Sequence, residues 1–137
     1  MGRLGNGVWS DRAGSRLGPL RTVAVLVGAG FGLAAVLQPG PVPLLAAVLV
    51  GAGALAVSWN GLVFTAAGEL APPGRAATAM AVSNTANYVS AAATPVVGGA
   101  LAQAAGWPAT LALAAGAAAA AWATLRGLSD TATAPGA

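Results

Sequence analysis

Cysteine, histidine and lysine are absent from this 137-residue sequence, and only 7% of its residues carry a charge. Their absence removes disulfides, thiolate nucleophiles, imidazole bases and most routes to a zinc site. The three acids, Asp11, Glu69 and Asp130, are too scattered to converge on a metal. No metal or cofactor is expected, and the chain is not expected to be an enzyme. A soluble domain usually carries about 25% charged residues. Here 57% of residues are hydrophobic, so polar groups cannot cover the surface. Lipid is the expected solvent. Six arginines against three acids would suit nucleic acid only if the cations shared one solvated face. Long apolar runs separate them instead, and no nucleic-acid partner is expected.

What the sequence does contain is four apolar runs, at about 22–38, 43–66, 76–103 and 108–125. A helix crosses a bilayer with roughly 17 to 25 residues. None of the runs alternates with period two, and open sheet edges are not viable in hydrocarbon, so all four read as helices. Gly18-Pro19 opens the first run, and Gln38-Pro39-Gly40-Pro41 ends it. Pro72-Pro73-Gly74 closes the second, and Ala105-Gly106-Trp107-Pro108 separates the third from the fourth. Pro95 followed by Gly98-Gly99 is expected to kink the third run near its end. Residues 128–137 are polar and contain proline and glycine, which predicts a disordered tail.

The arginines give these runs an orientation. Arg3, Arg12, Arg16 and Arg21 precede the first run, Arg75 lies between the second and third, and Arg126 follows the fourth. The other two turns carry none. If four helices alternate across a bilayer, all six cations share one side, which the positive-inside rule makes the cytoplasm. The tail falls on that side too. A multi-pass protein of the cell membrane is expected.

Within residues 1–21, ahead of the first run, Gly7, Asp11, Arg12, Gly14 and Arg16 follow the spacing Gly-x-x-x-Asp-Arg-x-Gly-x-Arg. At average residue usage such a pattern arises by chance well below ~1 time in 1,000 in a chain this short. It resembles the cytoplasmic loop signature of the major facilitator superfamily of secondary transporters. Members have twelve helices in two pseudo-symmetric halves. The resemblance implies an all-α integral membrane fold, running from the end of helix eight through the signature loop to helices nine to twelve. Ser58-Trp59-Asn60-Gly61 then resembles helix ten, and Asn84 to Tyr88 followed by Pro95 resembles helix eleven. The resemblance further implies that Asp11, Arg12 and Arg16 form a conformational latch against the opposite half. Read without the family, the same loop could be solvated, with arginines that only fix topology.

Polar side chains concentrate in the second and third runs, where they are costly unless they face a cavity or another helix. Trp59, Asn60, Asn84, Asn87 and Tyr88 are the candidate substrate-cavity residues. Asn84, Asn87, Tyr88, Ala91 and Pro95 follow i, i+3, i+4 spacing. They form either a cavity wall or an interhelical hydrogen-bonding stripe. Glu69, beside Pro72 and Pro73, reads as a hydrated boundary acid rather than a coupling site.

The functional expectation is the C-terminal part of a secondary active transporter of small molecules, not transport-competent alone. Its partners would be the lipid bilayer, missing N-terminal helices or a separately encoded partner, and a small-molecule substrate once the complete transporter is assembled. Two alternatives remain open: a small oligomeric exporter, and a non-transporting subunit of a permease.

Overall fold

Lipid leaves the backbone few choices, because every amide must find its hydrogen bond inside the chain. The computed structural model describes residues 17–128 and is helical throughout, with no strand among them. Helix α1 is Leu17–Val36, α2 is Val42–Glu69 and α3 is Ala76–Arg126. All three are long and apolar enough to cross a membrane.

The sequence predicts four separate helices, whereas the described residues form three hydrogen-bonded elements. The difference lies in α3. A straight helix of its 51 residues would be about 77 Å long, more than twice the ~30 Å hydrocarbon core. It is not straight. Gly106 breaks it with φ 82° and ψ 169°, and the chain folds back as two arms, 76–105 and 107–126. The turn is so short that helical hydrogen bonding resumes at once. The Thr110 hydroxyl donates to the Gly98 carbonyl (3.3 Å) across the reversal. Pro108 sits in the first turn of the returning arm, where its missing N–H costs little. Helical φ/ψ continues through Pro95, which has no N–H to donate, and the described break lies further on at Gly106.

Only glycine tolerates the Gly106 conformation without strain. Gly106→Ala is expected to destabilise the fold by about 1–3 kcal/mol, read as a lower thermal midpoint in detergent. Gly116→Ala, which would place its methyl in open space, is expected to leave the midpoint unchanged or raise it.

Helix α1 already includes Leu17, ahead of the first apolar run, and these early turns hold the densest packing. Leu17, Leu20 and Val23 form a buried cluster with Leu62 and Ala66 of α2. Trp59, Val63, Leu70 and Leu125 pack around them. Although polar side chains concentrate in the second and third runs, α1 is the most enclosed helix within the described residues. Small side chains explain this. A Cβ on Gly30 would come within 2.8 Å of the Ala52 methyl, and one on Gly28 within 3.4 Å of the Ala118 methyl. Both neighbours therefore lie close to the α1 backbone. Dispersion between closely packed surfaces is what holds helices together in lipid, where apolar burial alone offers little.

Candidate functional site

The hydrophobic cluster also sorts the charges. Leu70, at the end of α2, and Leu125, at the end of α3, pack against the same residues as the start of α1. The Arg21 guanidinium donates from Nε (3.1 Å) and Nη2 (2.8 Å) to the Leu125 carbonyl, and from Nη2 to Leu128 (2.7 Å). Arg126 lies over the Trp122 ring at 4.5 Å. Arg75 is on the short connection after Leu70 and immediately precedes α3. The three described arginines thus sit at one end of the molecule, as the sequence pattern requires. Gly7, Asp11, Arg12, Gly14 and Arg16 lie outside the described residues.

Beside the hydrophobic cluster, a cleft of about 210 Å³ opens between α2 and the first arm of α3. Trp59, Asn60, Val63 and Phe64 of α2 face Ser83, Ala86, Asn87 and Ser90 across it. A second cleft of about 420 Å³ shares Trp59 and Ser90 with the first. Its other walls are Ala24 and Val27 of α1, Ala56 of α2, and Ala114, Ala117, Ala118 and Ala121 of the returning arm. All the helical segments contribute to it.

The structure therefore brings together Trp59, Asn60 and Asn87 of the sequence-predicted set. Asn84 and Tyr88 do not join them. Both are exposed, Tyr88 at 66%, on a different face of the same helix. Ser83 and Ser90 are the site residues that the one-stripe reading left out. Their i, i+4, i+7 spacing with Asn87 is the signal that marks them.

Several hydroxyls elsewhere in the spans are satisfied locally. Thr65 donates to Gly61 (3.0 Å), Thr85 to Ala81 (3.0 Å) and Thr94 to Ser90 (2.6 Å), each one turn back along its helix. Asn60, Ser83 and Asn87 differ from these threonines, a trait they share with Ser90 and with Asn84 and Tyr88 outside the cleft. Among the described residues their side chains make no hydrogen bond, and none is sealed from solvent access. An amide in hydrocarbon without a partner costs several kcal/mol. Their open cleft must be filled by water, by a ligand or by another polar surface. No ionisable side chain lines either cleft.

The comparisons with known proteins agree with this membrane architecture. The family model described as Major Facilitator Superfamily matches residues 1–136. Two curated relatives from Mycobacterium tuberculosis strains, both named as uncharacterized MFS-type transporters, are 39% and 38% identical over 117 residues. Each match covers 82% of this chain and 25% of the relative, so the chain spans about a quarter of the relatives' length. No solved structure gives a significant match. A family match over residues 1–136, on a chain whose described helices are apolar enough to cross a membrane, shows that this protein belongs to the major facilitator superfamily.

Proposed function

We propose that this chain forms the last four membrane crossings of a secondary active transporter of small molecules, preceded by the end of helix eight and the signature loop. In that reading α1 and α2 are helices nine and ten, and the two arms of α3 are helices eleven and twelve. The arginine end and the tail face the cytoplasm. Asp11, Arg12 and Arg16 act there as a latch whose counterpart lies in the opposite half of the transporter. The cleft of Trp59, Asn60 and Asn87 is part of the substrate pathway. This chain supplies one wall of that pathway and does not transport alone.

One observation carries the reading: polar side chains within the spans face an open cleft with no partner among the described residues. An interhelical hydrogen-bonding stripe within the described helices would pair them. A small oligomeric exporter would instead call for an acid within a span. The one described acid, Glu69, stands exposed at the last residue of α2.

The chain has no cysteine, so single-cysteine labelling is clean. Asn87→Cys is expected to react with a membrane-impermeant thiol reagent at least about ten times faster than Val50→Cys, which sits on an outward face of α2. A thiol in lipid stays protonated and inert. Equal rates for the two variants would remove the cavity from the account.

A further inference from the structure

The two adjoining clefts differ sharply in chemistry, and their arrangement describes a ligand. The smaller holds Asn60, Ser83 and Asn87; the larger is lined mainly by alanine methyls. Trp59 and Ser90 belong to both, so the clefts meet at these two residues. We propose that this site takes a neutral amphipathic molecule, with a planar apolar body in the alanine cleft and a hydrogen-bonding head, such as an amide, hydroxyl or arylamine, on Asn87 and Ser83. The inference rests on the cavity reading above and specifies what that cavity binds.

Three features support it. The alanine cleft, at about 420 Å³, is nearly three times the ~150 Å³ of a cavity that accommodates benzene. It therefore has room for two or three rings. Its methyl walls offer no hydrogen-bond partner, and the broad indole of Trp59 favours a flat body beside it. The head subsite offers amide and hydroxyl groups that can donate or accept, which suits a neutral polar group. Charge is disfavoured because no ionisable side chain lines either cleft, and Arg21, one turn from Ala24, is already engaged with the Leu125 and Leu128 carbonyls. A charged head entering these clefts would meet no counter-ion among their lining residues, and an unpaired buried charge is far costlier than an unpaired amide.

The test uses the full chain in phosphatidylcholine nanodiscs, with binding read as energy transfer from tryptophan to probe after subtraction of empty nanodiscs. N-phenyl-1-naphthylamine supplies body and neutral head, 1-phenylnaphthalene the body alone, and 1-anilinonaphthalene-8-sulfonate the same body with an anion. The arylamine is expected to bind saturably, and the sulfonate at least about tenfold more weakly. Asn87→Ala is expected to weaken the arylamine about 3- to 10-fold, the scale of one net hydrogen bond, and to leave 1-phenylnaphthalene unchanged. Ala117→Leu, which fills the body cleft, is expected to weaken both neutral probes. Ala56→Leu repeats that test from α2 in case one variant disturbs folding, which helical circular dichroism reports. Sulfonate binding as tight as the arylamine, or an equal response of both neutral probes to Asn87→Ala, overturns the proposal. Thiol labelling of Asn87→Cys is independent of probe choice. Labelling without probe selectivity sinks this inference and leaves the cavity reading standing, whereas absence of labelling removes the cavity itself.

Discussion

Gly30→Leu is expected to separate α1 from α2 and cost about 3 kcal/mol or more, the upper range for overpacking a close contact. The Cβ of any residue at position 30 would stand 2.8 Å from the Ala52 methyl and 3.5 Å from the Ala52 Cα. Backbone cannot yield as a flexible side-chain tip can. In water a separated pair would still gain by burying apolar surface elsewhere, but lipid tails give no such return. Gly30→Ala should be milder, because alanine's higher helix propensity, about 1 kcal/mol, offsets part of the clash. The discriminating variant is the pair Gly30→Ala with Ala52→Gly. It moves the methyl from one helix to the other and should recover most of the stability lost by the single change. Gly51→Ala, one residue away but in open space, should be neutral or slightly stabilising. Tryptophan-detected thermal unfolding in detergent reads all four. A Gly30→Leu midpoint equal to wild type would mean that α1 and α2 do not cross here.

The second large effect is expected at Arg21. The final carbonyls of a helix lack intrahelical donors and carry the negative end of its dipole. Arg21 covers the Leu125 and Leu128 carbonyls from α1, which ties the returning arm of α3 to the start of the chain's core. Hydrogen bonds to charged groups contribute about 1.5–3 kcal/mol, and half-exposure of this site places Arg21→Ala near 2 kcal/mol. Arg21→Lys keeps the charge and loses the planar fork, so it should restore less than half of the effect. Hydrogen exchange localises the change. Amides of residues 122–128 should exchange about tenfold or more faster in Arg21→Ala, while residues 44–52 keep their protection. Uniform protection in the variant would show that the guanidinium does not hold this end.

Much of this architecture is legible in the sequence, because apolar runs bounded by Pro39-Gly40 and Pro72-Pro73-Gly74 leave the chain few alternatives in lipid. The grouping of arginines at one end is legible for the same reason, since topology alone forces it. The reversal at Gly106 is harder to read. Gly106 and Pro108 mark a turn, but nothing in their identity shows that a single residue suffices to reverse the helix without splitting it. The central position of α1 is harder still. It depends on which glycines meet which alanines, and a sequence with 20 glycines offers many pairings. At the cleft, helical spacing placed Asn84, Asn87 and Tyr88 on one stripe. Successive residues turn by about 100°, which sets Ser83, Asn87 and Ser90 roughly 100° around the helix from Asn84, Tyr88 and Pro95. Asn87 borders both arcs. Periodicity defines faces, and only packing against α2 selects the one that closes the cleft.

The most direct test of the central claim, four crossings with every arginine inside, is single-cysteine accessibility in intact cells expressing the full chain. Pro73→Cys, Gln103→Cys and Gly127→Cys sample the α2–α3 connection, the reversal and the end of α3, and all three positions are exposed. With a membrane-impermeant maleimide, Gln103→Cys should label in intact cells, while Pro73→Cys and Gly127→Cys should label only after permeabilisation. Labelling of Gly127→Cys from outside, or protection of Gln103→Cys until permeabilisation, would contradict the account.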